Sequence, residues 1–157
     1  GFADAANMGP FSGAKSTTLE GGIRVPLIMR WPGQIRAGTT SHQVCATFDL
    51  TRSILNLADA KAPTNRLDGF DIVNHITARK RDFPLFWRGN RGERIWSAVR
   101  AGDLKYVRKT EGETQEWLFD LSKDLGEKTN LTSKHPKDLA RLKKLLAVWE
   151  KEGRPVR

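Results

Sequence analysis

The sequence predicts an α+β fold in which an antiparallel sheet is followed by a helix that packs on it. Three observations carry this. Four short runs, Pro84–Arg88, Arg94–Arg100, Leu104–Lys109 and Glu116–Asp120, succeed one another with turn residues between them. Trp96, Val99, Tyr106, Trp117 and Phe119 give these runs aromatic and β-branched content, and Ala101-Gly102-Asp103 is short enough to join two of them as a hairpin. After them, Leu139, Leu142, Leu146 and Trp149 recur three or four apart, with Arg141, Lys143, Lys144 and Lys151 elsewhere, which makes one apolar stripe on a helix. Such a stripe needs a sheet to lie on. Pro136 suits the first helical position, Asp138 complements the dipole in the first turn, and Gly153-Arg154-Pro155 ends the helix.

The first half reads differently. Residues 1–22 are rich in Gly, Ala, Ser and Thr without a period, which predicts loop. Arg24–Trp31 is a short apolar run closed by Pro32-Gly33 and predicts a buried strand. Phe48–Ala60 places Leu50, Ile54, Leu57 and Ala58 at helical spacing. Lys61–Asp71 is a turn-rich linker with Pro63, Asn65 and Asp68-Gly69, and a short helical piece is expected over Ile72–Ile76. The composition shift across residues 61–82 marks the expected boundary.

Composition excludes several classes. The chain has 157 residues, 27 Lys+Arg and 18 Asp+Glu, giving a formal charge of +9. Five Trp and seven Phe exclude a disordered basic tail. Apolar stretches such as Val25–Met29 are too short for a membrane helix, so no membrane partner is expected. The single cysteine, Cys45, excludes an internal disulfide framework and a multi-cysteine zinc site. The chain opens on Gly1 without a signal-like segment and is expected to be a fragment of a longer protein.

Several stretches carry a resemblance. Gly9-Pro10-Phe11-Ser12-Gly13-Ala14-Lys15-Ser16-Thr17-Thr18-Leu19-Glu20-Gly21-Gly22-Ile23-Arg24-Val25-Pro26 resembles the GPxxGxKGTxxEGGxRxP segment of type I sulfatases, the formylglycine-dependent arylsulfatase family. Ser16 departs from it, since the family usually has Gly there. Trp31-Pro32-Gly33, Phe48-Asp49-Leu50, Leu67-Asp68-Gly69-Phe70-Asp71, Leu118-Phe119-Asp120-Leu121, Asp124, Gly126-Glu127, Asn130-Leu131 and a final helix after His135-Pro136 follow in the family's order. The match is to the C-terminal third of such enzymes.

The resemblance implies that residues 1–75 are the last strand and helix piece of an alkaline-phosphatase-like α/β catalytic domain. Residues 82–157 would be its small C-terminal subdomain, a four-stranded antiparallel sheet with a C-terminal helix. The implied parent enzyme hydrolyses a sulfate monoester, possesses Ca2+ and a formylglycine nucleophile, and is periplasmic or secreted. Cys45 lacks the Pro and Arg of the formylglycine motif, and no cluster here has the oxygen density of a calcium site. The fragment alone is therefore expected to be inactive and without a cofactor, its N-terminal catalytic domain being absent.

Lys15 falls on the family's active-site lysine and is the expected catalytic, sulfate-binding residue. An ammonium on a glycine-rich loop can approach an anion closely. His42, before the Phe48 helix, is the expected substrate-binding residue; many relatives carry Asp there. Glu20, Gly21, Gly22 and Arg24 read as architectural, Arg24 pairing with a buried carboxylate. Three histidines without close spacing make no metal site. Asn130-Leu131-Thr132 fits a glycosylation sequon.

Two rival classes remain at this point. Arg79-Lys80-Arg81, Arg88, Arg91, Arg94, Arg100, Lys105 and Arg108, with Trp87 and Trp96 among them, suit a polyanion- or nucleic-acid-binding module. The same charge suits a rim that steers a sulfated glycan. A phosphoester or phosphonate hydrolase of the same superfamily is the other. As an isolated module, the chain is also expected either to self-associate through residues 24–31 or to leave that segment disordered.

Overall fold

The computed structural model describes residues 7–60, 67–73 and 81–153. Its elements in order are α1 (Glu20–Ile23), α2 (Thr47–Leu57), β1 (Leu85–Arg91), β2 (Arg94–Ala101), β3 (Leu104–Glu111), β4 (Glu113–Asp120) and α3 (Pro136–Glu152). They fall into two compact units, Gly1–Pro26 with Phe83–Arg157, and Leu27–Asp82.

In the first unit the four strands form one antiparallel meander in the order β1-β2-β3-β4. Gly92, Gly102 and Gly112 sit in the three hairpin turns at positive φ, which a Cβ would resist. The predicted strands are all present, each within a few residues of its expected bounds.

Because strand side chains alternate, the sheet has two distinct faces. Val99, Tyr106 and Leu118 face α3 and meet its buried Leu142 and Leu146. Phe86 and Trp149 stack at 5.1 Å with rings 3° apart, closing one edge of this layer. The predicted apolar stripe of α3 is thus the buried one, with Leu139 and Trp149 packed at its sides.

The opposite face carries Trp96, Ala98, Val107, Phe119 and Leu121, with Trp87 and Trp117 alongside. Leu19, from the long loop before α1, packs on this cluster. The sheet is therefore covered on both sides, and Ala98, Val99 and Val107 are wholly buried.

The second unit is organised by Asp49. This residue sits in the first turn of α2, accepts the Ala46 N–H at 2.6 Å and the Phe70 N–H at 3.1 Å, and pairs with the buried Arg81 guanidinium. Arg81 also lies over the Phe48 and Phe70 rings. Ser53 extends the link, donating to Asp49 O and accepting from Ile72 N–H. Gly69 passes so near α2 that an added Cβ would lie 2.4 Å from Phe48 O, so the Asp68-Gly69-Phe70 segment requires glycine here.

One expected element changes. Arg24–Trp31 is neither helix nor strand, and Val25 and Ile28 are 71% and 92% exposed. No strand among the described residues pairs with it, and Val25, Leu27, Ile28 and Trp31 are exposed. Residues 74–76 of the expected helical piece, with His75, Arg79, Lys80, Pro63 and Asn65, lie outside the described residues.

Candidate functional site

Lys15 lies exposed in a turn of the loop between Gly9 and α1. The loop closes on itself: Thr17 donates through both N–H and Oγ1 to Ala14 O, and the Gly21 N–H donates to Ser12 O at 2.8 Å. Gly21 and Gly22 make this possible. A Cβ on Gly21 would lie 2.5 Å from Gly13 O, and one on Gly22 would lie 2.6 Å from Ala14 O, the carbonyl preceding Lys15. Ser16, next to Lys15, has φ 76. That left-handed conformation accounts for glycine being usual at this position in the resembling segment.

Both flanks of the loop are fastened to the segment after β4. Ser12 Oγ donates to Gly126 O at 2.7 Å, and the Glu20 N–H donates to Glu127 Oε2 at 2.7 Å. Beneath them lies a buried charge bridge. Lys105 Nζ, on β3, stands 2.7 Å from Glu20 Oε1 and 2.9 Å from Glu127 Oε1, with all three side chains at most 2% exposed. The hydrogen bond goes to Glu20; the contact with Glu127 is an ion pair without hydrogen-bond alignment. Arg24 Nε reaches Glu20 Oε2 at 2.5 Å and lies over the Phe11 ring, so the buried carboxylate expected for Arg24 is Glu20.

The two acids respond differently. Burial pushes the Glu127 carboxyl above its ordinary range, and Lys105 only partly offsets that. Burial also opposes ionisation of Glu20, but Lys105 and Arg24 together outweigh it and hold its carboxyl below the usual value.

Lys15 belongs to the first unit and His42 to the second, where His42 is exposed before α2. Cys45 is half-buried, and burial, then the nearby Asp49 charge, raises its thiol pKa, which disfavours the thiolate. Among the described residues no three His, Cys, Asp or Glu side chains converge.

Four residues of the expected basic face are committed to ion pairs, while Arg88 and Arg91 are exposed. Lys105 is buried in the charge bridge, Arg81 is buried against Asp49, Arg94 pairs with Glu111 and Arg108 with Glu150. Trp96 is core, and Trp87 packs beside it, so neither stands free for base stacking. The Asn130 of the sequon is a structural link: its Oδ1 accepts Leu118 N–H and its Nδ2 donates to Glu116 O.

Sequence reasoning placed Lys105 in a basic surface and Glu127 in a resembling motif, and missed that they pair with each other and with Glu20. The signal for Lys105 was its register: two residues before Val107, it occupies an inward position of β3 opposite Phe119. A charge at such a position is rare without a partner. Glu127 was marked only through the Gly126-Glu127 pair of the resembling segments, with nothing to name its partner.

A helix-backed four-stranded sheet, with a glycine-rich loop presenting a lysine on its other face, is the C-terminal portion of a sulfatase fold. Residues 14–151 match the family described as N-sulphoglucosamine sulphohydrolase, C-terminal, and the chain belongs to that family. It is 42% identical over 90 residues to mouse N-acetylgalactosamine-6-sulfatase, covering 55% of this chain and 17% of that protein. It is 33% identical over 141 residues to human arylsulfatase A, covering 74% of this chain and 28% of that protein. Among solved structures, Ps i-CgsB superposes with a TM-score of 0.82 at 24% identity, covering 92% of this chain and 33% of that one. BT4656, solved with its substrate D-glucosamine-2-N,6-O-disulfate, superposes with a TM-score of 0.67 at 21% identity, covering 82% and 28%. The chain thus spans less than a third of the length of these two curated relatives.

Proposed function

We propose that this chain is the C-terminal part of an enzyme that hydrolyses sulfate monoesters, and that Lys15 binds the sulfuryl group. The carrying observation is that Lys15 is exposed on a loop whose flanks are both fastened to the sheet unit, through Ser12–Gly126 and Glu20–Glu127. A turn held that way fixes the backbone from which the ammonium reaches, so only its stem has to be ordered when it meets charge developing on the sulfuryl and leaving oxygens. Residues 1–75 would close the catalytic domain and 82–157 form the small subdomain. The nucleophile, a formylglycine, and the Ca2+ of the parent enzyme would be held by residues upstream of this chain, so the chain by itself is inactive.

The substrate class we favour is a sulfated glycan, supported by the sugar-sulfate names of the relatives. His42 then contributes to the substrate pocket. The same reading places the parent enzyme in the periplasm or outside the cell. The exposed 25–31 segment would be covered in the parent and self-associate when the chain is isolated.

The test uses the full-length enzyme with an aryl sulfate and a sulfated sugar. Lys15→Ala should lower kcat/KM by roughly a hundredfold or more, the usual cost of removing one preorganised donor. Retention of activity within about twofold of wild type overturns the assignment. Faster cleavage of a phosphate monoester than of the matching sulfate would move the enzyme to the phosphoester branch. His42→Ala should raise KM for the glycan and leave the small aryl sulfate unchanged.

A further inference from the structure

We propose that Lys105, clasped between Glu20 and Glu127, is a positioning residue for Lys15, so that the C-terminal sheet takes part in sulfate-ester cleavage. This rests on the reading of Lys15 given above and extends it to a side chain that is itself wholly buried.

Three observations converge. First, the loop bearing Lys15 is tied at both flanks to the Gly126-Glu127 pair, through Ser12 Oγ and the Glu20 N–H. Lys105 Nζ then holds Glu127 and Glu20 against each other from the sheet side. Second, the loop cannot absorb a shift of these anchors. Gly21 and Gly22 already leave no room for a Cβ against the carbonyls of Ser12, Gly13, Ala14 and Thr17. Displacement of Glu20 is therefore passed to the turn that presents Lys15. Third, the arrangement is costly in ways that packing alone does not require. Glu127 adopts φ 54, a strained conformation for a residue with a side chain, and its carboxylate is aimed inward at Lys105. A buried ion bridge is no more stable than well-packed apolar side chains of similar volume, so its retention points to geometry.

The test is a double-mutant cycle in the full-length enzyme with an aryl sulfate. Lys105→Met and Glu127→Gln are each made with Lys15 present and with Lys15→Ala. Glu127→Gln is isosteric and keeps an acceptor for the Glu20 N–H, so it supplies a folded variant if Lys105→Met does not fold. With Lys15 present, each change should lower kcat roughly tenfold or more and move KM little, as for a displaced reacting group. In the Lys15→Ala background the same change should cost less than about twofold. Equal losses in both backgrounds overturn the proposal, because general destabilisation does not depend on Lys15.

Should Lys15→Ala alone leave kcat/KM unchanged, the reading of Lys15 fails, and amide exchange decides the positioning role separately. Faster exchange at Glu20 and Gly21 in Glu127→Gln, with β2 and β3 unchanged, supports it. Unchanged exchange at those two amides overturns it.

Discussion

Lys105 Nζ lies 2.7 Å from Glu20 Oε1 with both side chains out of water, joining positions 85 residues apart. The contact connects a glycine-rich loop to the middle of a sheet that lies far downstream of it in sequence. The second acid, Glu127, pairs with the same ammonium.

Removing that ammonium should be severe. Lys105→Met leaves Glu20 and Glu127 facing each other in a water-excluded site, and breaking a buried ion pair by deleting one partner costs about 3–5 kcal/mol. Arg24→Gln removes a partner that is 40% exposed, and its cost should stay within roughly 1 kcal/mol. Urea unfolding of the two variants checks the contrast. Equal midpoints would show that the bridge is solvated.

The two acids also give stability opposite pH dependences. Glu20 has a lowered carboxyl pKa, so its contribution is present above about pH 4.5 and is lost as pH falls below that value. Glu127 has a raised one, so the folded form holds its proton more tightly, and stability falls as pH rises above 4.5 through the folded value. Thermal unfolding between acidic and neutral pH should show this: Glu20→Gln removes the acid-side loss, and Glu127→Gln removes the fall on the other side. Parallel curves for all three proteins would refute the assignment.

Ser16 is a position where the chain tolerates strain. At φ 76 it lies where a Cβ costs roughly 1–2 kcal/mol, of which the greater folding entropy loss of Gly offsets about 0.4–1 kcal/mol. Ser16→Gly should therefore stabilise the protein by about 0.5–1 kcal/mol, seen as a higher melting temperature. The neighbouring Gly22→Ala should do the reverse and disorder the Lys15 turn, because the new methyl meets two backbone carbonyls.

The legible parts of this protein are those with a local period. The stripe Leu139, Leu142, Leu146 and Trp149 fixed α3, and the turn at Gly102 fixed the β2–β3 hairpin. The proposal for Lys15 comes only from the segment around it, since one exposed lysine has no distinguishing pattern. Lys105 was read as surface charge because composition counts charges without asking which face of a strand they occupy; its partners lie 85 positions upstream and 22 downstream. Residues 24–31 were read as a buried strand because apolar runs of that length usually are. A strand requires a partner, and local sequence does not supply one.

That same segment yields the last prediction. Val25 and Ile28 expose most of their side chains, and Leu27 and Trp31 are 45% and 39% exposed. Single exposed apolar residues are ordinary, but a contiguous run outside any helix or sheet also presents backbone donors and acceptors for another chain to pair with. The isolated chain should therefore self-associate, its sedimentation coefficient rising with concentration, despite the +9 charge that opposes association. Ile28→Asp places a carboxylate at the most exposed apolar position and should return the chain to a monomer, with little change in thermal stability because Ile28 buries almost nothing. Raising the salt concentration should strengthen association of the parent chain by screening its positive charge. A sedimentation coefficient that stays constant across concentration and salt would show that the segment needs no cover.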